Sequence, residues 1–102
     1  MRFKNKTVLV TGSSRGIGRA TAIAFAQEGA NVVVNYIKDK TSADSAVEEI
    51  KKLGADAIAI QADVAIEDDV KRMIEESIKH FGAIDVLINN AGIVFDIPIL
   101  EK

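Results

Sequence analysis

The sequence predicts an α/β fold, a doubly wound parallel sheet with elements in the order βαβαβαβ, and three observations carry that expectation. Short runs rich in β-branched residues recur at "TVLV", "NVVVNY", "AIAIQAD" and "IDVLINN". Between them lie segments of helical length, closed by Gly29, Gly54 and Gly82. The connections are short, and strands that alternate with helices in this way pair in parallel through right-handed crossovers, with helices on both faces.

Each element has its own signal. Thr7 to Val10 is continuously apolar after its threonine, as a strand covered on both faces should be. From Gly16 to about Glu28 the chain is alanine-rich, with Ile17, Ala20, Ala24 and Phe25 at helical spacing, and Gly29 ends it. Residues 31–36 form the second strand. A helix from about Thr41 to Leu53 places Ala43, Ala46, Val47, Ile50 and Leu53 on one stripe. The third strand is expected over residues 57–63. The third helix, Glu67 to Phe81, buries Val70, Met73, Ile74, Ser77, Ile78 and Phe81, and its acidic first turn (Glu67, Asp68, Asp69) suits the positive end of the helix dipole. Ala65 stands where this helix would take a Ser or Thr cap. Residues 84–90 give the fourth strand, followed by the apolar stretch "IVFDIPILEK" with the single proline, Pro98.

Composition narrows the function. A chain of 102 residues is one domain at most, and 48% hydrophobic residues suffice for a packed core. A net charge of −2 supplies no basic field for nucleic acid or an anionic membrane surface. The absence of cysteine excludes disulfides and thiolate chemistry and suits a reducing compartment. The apolar run near the start is too short for a signal peptide, and no run approaches a membrane span, so a cytoplasmic protein is expected. No metal-ligating pattern is read. His80 beside Phe81 reads as a complement to a helix C-terminus, and Glu48–Glu49 and Glu75–Glu76 as solvated faces.

Chemistry concentrates in "TGSSRGIG", between the first strand and the first helix. Gly12, Gly16 and Gly18 follow a G-x-x-x-G-x-G spacing. The first glycine permits a tight turn, the second lets backbone approach a ligand, and the third lets helix and strand pack closely. The helix then aims free N–H groups at an anion, which suits a pyrophosphate. A plain tight turn is the simpler reading of glycines alone. Placement inside a βαβ unit favours the phosphate site, and the lack of a following Gly-Lys-Ser/Thr argues against a phosphate-hydrolysing loop.

Thr11-Gly12-x-x-x-Gly16-Ile17-Gly18, then Asp63-Val64, then "NNAG" at Asn89 to Gly92, resemble the short-chain dehydrogenase/reductase family along the whole chain. The wording "VLVTGSSRGIGRA" and "IDVLINNAGI" is most similar to its 3-oxoacyl-acyl-carrier-protein reductase branch. The resemblance implies the N-terminal half of a Rossmann-type sheet with strand order 3-2-1-4. It implies a nicotinamide dinucleotide and hydride transfer from NADPH to a carbonyl, with a tyrosine as proton donor. The implied cofactor contacts are Gly12, Ser14, Arg15, Gly16, Ile17 and Gly18 in the turn, Tyr36 at the cofactor-selecting end of the second strand, Asp63 and Val64 toward the adenine, and Asn89, Ala91 and Gly92 near the ribose. Residues 1–92 are then a nucleotide-binding half-domain and residues 93–102 an apolar tail. Alternatives remain: Asp63 could simply bond nearby backbone, and Asn89 and Asn90 could be turn residues.

At the end of the second strand a carboxylate would bond the ribose 2′-hydroxyl of NAD and repel a 2′-phosphate. Asn35 and Tyr36 are both neutral. Arg15, at a helix start where a cation is disfavoured, would be stabilised by a phosphate, and Lys38 could assist. NADP is therefore expected over NAD, the alternative being that both cations are merely solvated. Tyr36 and Lys40 spell Tyr-x-x-x-Lys, yet they leave a strand rather than share a helix face, so they are not expected to form a catalytic pair. In the family the catalytic serine, tyrosine and lysine fall after the fifth strand, beyond any match here. A binding platform inactive alone is expected. The alternatives are a stand-alone nucleotide-binding or oligomerisation module, or an enzyme half completed by another chain. The unpaired edge of the fourth strand and the apolar tail suggest a homodimer, through either of them or by domain swapping.

Overall fold

A computed structural model describes residues 2–90. The elements are β1 (Thr7–Val10), α1 (Gly16–Gln27), β2 (Asn31–Tyr36), α2 (Lys40–Lys52), β3 (Ala57–Gln61), α3 (Glu67–Phe81) and β4 (Val86–Ile88). The sheet runs β3-β2-β1-β4 and every pairing is parallel. The chain reverses its direction of travel between β1 and β4, so the switch point lies at the C-terminal ends of those strands, where open α/β sheets bind ligands. Among the described residues no helix is long and apolar enough to cross a membrane.

Strand side chains alternate between two cores, because the pleat sends successive residues to opposite faces. Val8, Val10, Val32, Val34 and Ala57 meet Ala22 and Ala26 of α1 and Ala43, Ala46 and Ile50 of α2. Leu9, Val33 and Ile60 meet Val70, Met73 and Ile74 of α3, with Ala62, Val64 and Ile84 closing that side. The helix ends follow local chemistry. Asp39 caps α2 by accepting from the Ser42 N–H at 2.9 Å. Gly82 ends α3 at φ 94°, in the left-handed region that glycine enters without a Cβ penalty.

Five local expectations need correction. The buried face of α1 is Gly18, Ala22 and Ala26, with Phe25 at its margin, whereas Ile17 is 79% exposed and Ala20 and Ala24 face solvent. The helix rolls to present its smallest residues to the sheet, since only these permit close approach. Leu53 caps α2 and is exposed rather than ending the stripe. β3 stops at Gln61, because its partner β2 ends at Tyr36 opposite it. β4 is only Val86–Ile88, because Asn89 and Asn90 leave the ladder to bond the turn after β1. The cap of α3 is Ile66, not Ala65, and has no side-chain bond of its own. Asp69 instead reaches back to accept from the Asp63 N–H at 2.9 Å. The stretch 91–102, with the expected tail, lies outside the described residues.

Candidate functional site

The C-terminal ends of β1, β2 and β4 converge on the turn at residues 11–15. Thr11 N–H continues the ladder to the Ile88 carbonyl (3.0 Å). Ser13 Oγ donates to the Val10 carbonyl (2.6 Å) and accepts from Asn35 N–H (2.9 Å), while Ser13 N–H donates to the Asn35 carbonyl (3.0 Å). The Asn35 side chain accepts from Gly12 N–H (2.8 Å). From the other side, Asn90 N–H donates to Thr11 Oγ1 (2.9 Å), Asn90 Nδ2 donates to the Gly12 carbonyl (3.2 Å), and Thr11 Oγ1 donates to Asn89 Oδ1 (3.3 Å). The turn is thus held by side chains from both neighbouring strands.

Gly18 completes it. A Cβ there would collide with the Gly12 carbonyl oxygen and stand 2.6 Å from Asn90 Nδ2. Gly16 differs: its φ of +66° favours glycine, but a Cβ would meet nothing within 4 Å. Open space above Gly16 leaves the backbone accessible to a ligand.

The amino end of α1 is bare. Its cap residue, Arg15, is extended and makes no side-chain capping bond, and its first turn has no acidic residue. By contrast, α2 has Asp39 and α3 has three acids in its first turn. The positive end of α1 is therefore left for an outside anion.

Beside it opens a cavity of ≈ 340 Å³ lined by Gly12, Ser14, Arg15, Tyr36, Ile37, Lys38 and Asp39. Its size, its two cations and the bare helix end suit a phosphorylated nucleoside. Arg19 places Nη1 on the carbonyls of Ser14 and Ser42 (3.4 Å each) and Nη2 on Glu49 (2.9 Å), which ties the turn to α2. Asp39 brings a carboxylate to the wall. The Ser42 hydroxyl, then the Ser42 N–H, hold its pKa below the usual 3.8, with a smaller contribution from Arg15. That charge is committed to the α2 end. A larger cavity, ≈ 610 Å³, lies at the opposite, N-terminal end of the strands around Lys4, Asn5, Gly29 and Asp56.

The other predicted residues fall as follows. Ser14 and Arg15 line the cavity, and Ile17 points outward from the first turn of α1. Tyr36 is half-buried against the α1/α2 core and also faces the cavity. Lys40 opens α2 and bonds Asp44 (2.9 Å), which raises its pKa, so it serves its own helix rather than Tyr36. Asp63 Oδ1 accepts from Ala65 N–H (2.9 Å), the local bond considered for it. The Val64 side chain is buried in the α3-side core. Asn89 and Asn90 are the turn residues described above. Ala91 and Gly92 lie outside the described residues. Sequence reasoning passed over Ser13, Arg19, Asp39 and the structural role of Asn35. For Asn35 the signal was present: a polar residue inside the run "VVVNY" needs a buried partner.

Comparison with known proteins agrees with this geometry. The chain is 56% identical over 92 residues to the 3-oxoacyl-acyl-carrier-protein reductase FabG of Staphylococcus epidermidis, covering 90% of this chain and 38% of that protein. It is 50% identical over 93 residues to the versicolorin reductase of Emericella nidulans, covering 91% and 35%. Among solved structures, a short chain dehydrogenase from Burkholderia cenocepacia in complex with NADP superposes with a TM-score of 0.87 at 45% identity, covering 91% of this chain and 38% of that one. A hydroxysteroid dehydrogenase from Escherichia coli gives 0.84 at 38% identity, covering 95% and 43%. The chain thus spans less than half the length of these relatives. The short chain dehydrogenase pattern matches residues 6–101, and with the parallel sheet and glycine turn in place, this chain belongs to the short chain dehydrogenase family.

Proposed function

We propose that the chain binds NADP(H) as the dinucleotide-binding part of an oxidoreductase similar to 3-oxoacyl-acyl-carrier-protein reductases. The observation that supports this most is the bare amino end of α1 beside a cavity carrying Arg15 and Lys38, with neutral Tyr36 at the end of β2. Residues 12–18 would hold the pyrophosphate, Arg15 and Lys38 the 2′-phosphate, and the segment at Asp63 and Val64 the adenine. Asn89, Ala91 and Gly92 would border the ribose. When bound, the cofactor supplies a hydride for carbonyl reduction. The chain by itself is not catalytic in this reading, since its single tyrosine ends a strand and Lys40 is engaged with Asp44. In this reading the binding unit spans residues 1–92, and residues 93–102 are the apolar stretch of sequence that follows it. Because β4 pairs only with β1 among the described residues, its free edge is the place for a second copy of the chain. A cytoplasmic location accords with the absence of cysteine.

Calorimetric titration with NADP and with NAD tests the reading. NADP should bind more tightly. Absence of binding by either, or a preference for NAD, refutes it.

A further inference from the structure

Asn35 is 1% exposed and lies on the β2 face it shares with Val33. A buried amide needs partners at both ends, and this one has them. Its Oδ1 accepts from Gly12 N–H at 2.8 Å, and its Nδ2 donates to the Ala62 carbonyl at 3.1 Å, with longer contacts of 3.4 Å to the Ile60 and Tyr36 carbonyls. Gly12 opens the turn after β1, and Ala62 immediately precedes Asp63 after β3. One side chain therefore joins the segment facing the pyrophosphate to the segment facing the adenine. It also occupies Gly12 N–H, which leaves the first turn of α1 to meet the anion.

We infer that Asn35 is a positioning residue that fixes the distance between the phosphate and adenine subsites, and that its side chain must be neutral, accepting at one end and donating at the other, to do so. The inference rests on the NADP(H)-binding reading above. The amide accepts at one end and donates at the other at every pH. An ionised carboxylate accepts only, so it would face the Ala62 and Ile60 carbonyls without a proton. Burial and that repulsion would raise the pKa of the introduced carboxyl. Two carboxylates follow β3 and oppose ionisation as well, Asp63, bonded to Ala65 N–H, and Asp69, bonded to Asp63 N–H, while Arg15 and Arg19 on the turn side act the other way. A protonated carboxyl restores one donor and one acceptor. The penalty in Asn35→Asp is thus present at high pH and lifted as pH falls through the raised value.

The test measures NADP affinity of the 102-residue chain at about pH 8 and about pH 5, either side of a raised carboxyl pKa. Each variant is expressed relative to the unaltered chain at the same pH, which cancels titration of the ligand. Asn35→Asp should bind at least about tenfold more weakly at the higher pH and return to within about threefold at the lower, since a tenfold change corresponds to about 1.4 kcal/mol. Ile50→Val, a core change under α2, should lower the melting temperature without moving affinity at either pH. Unchanged affinity in Asn35→Asp, or a loss that pH does not relieve, overturns the inference. Should Asn35→Asp fail to fold at both pH values, Ser13→Ala decides. It removes the hydroxyl that holds Asn35 N–H, and wild-type affinity in that variant overturns the inference. If the unaltered chain binds no NADP, the functional reading itself falls. If it binds and Asn35→Asp is indifferent, only the role of Asn35 falls.

Discussion

Replacing Gly18 by alanine should destabilise the chain, although helix propensity alone predicts the reverse. Alanine inside a helix is favoured over glycine by about 0.8–1.0 kcal/mol. Against that gain stands the position of the new Cβ, which would overlap the Gly12 carbonyl oxygen and stand 2.6 Å from Asn90 Nδ2 and 3.0 Å from the Gly12 carbonyl carbon. The first and last of these are backbone atoms of a turn pinned by Asn35 and Asn90, so no rotamer change relieves them. Overpacking of this kind costs roughly 1–3 kcal/mol, and displacing Asn90 forfeits its bond to the Gly12 carbonyl, about 1 kcal/mol more. The net is a loss of about 1–3 kcal/mol, a fall in melting temperature on the order of 5–20 °C for a domain of this size. Urea unfolding should show a lower midpoint with an unchanged slope. Ala24→Gly, on the exposed face of the same helix, should cost about 1 kcal/mol by propensity alone. A Gly18→Ala chain as stable as the wild type would refute the close approach of α1 to the turn.

The remaining predictions concern the same region. Gly16→Ala should cost about 1–2 kcal/mol through its positive φ, with no clash, and Gly16→Asn should cost less in the same urea assay, because asparagine enters the left-handed region more readily. Tyr36→Asp combined with Arg15→Ala should lower the NADP/NAD affinity ratio at least about tenfold by calorimetry, as a carboxylate replaces the phosphate-binding cation. An unchanged ratio removes both residues as selectors. Asp39→Ala should lower thermal stability at neutral pH by uncapping α2. Because the folded pKa of Asp39 lies below 3.8, its contribution is complete above that value and is lost as pH falls through the lowered one. The gap between variant and wild type should therefore close in strongly acidic buffer, and a gap independent of pH would exclude the carboxylate bond to Ser42 as its source.

Local pattern determined the element order and the parallel sheet, because β-branched runs, helical stripes and glycine stops each report a short-range preference, whereas the 3-2-1-4 strand order was implied by the family resemblance. For α3 even the bounds and the buried face agree with the pattern, since its hydrophobic stripe is strong and its acidic first turn and terminal Gly82 mark both ends. The glycine turn was legible for the same reason: each glycine answers a steric demand within eight residues. The roll of α1 was not legible. Its alanines are nearly interchangeable along the helix, and the choice was made by contact between Gly18 and Gly12, with Asn90 pressing from just after β4, 78 residues past Gly12. The roles of Asn35, Ser13 and Arg19 were likewise decided only when β1, β2, β3 and α2 came together. A polar side chain is assigned by the partner that satisfies it, and these partners are distant in sequence: 23 residues separate Gly12 from Asn35, and 27 separate Asn35 from Ala62. Periodicity records which face of an element avoids water, and it carries no record of which distant donor meets which acceptor.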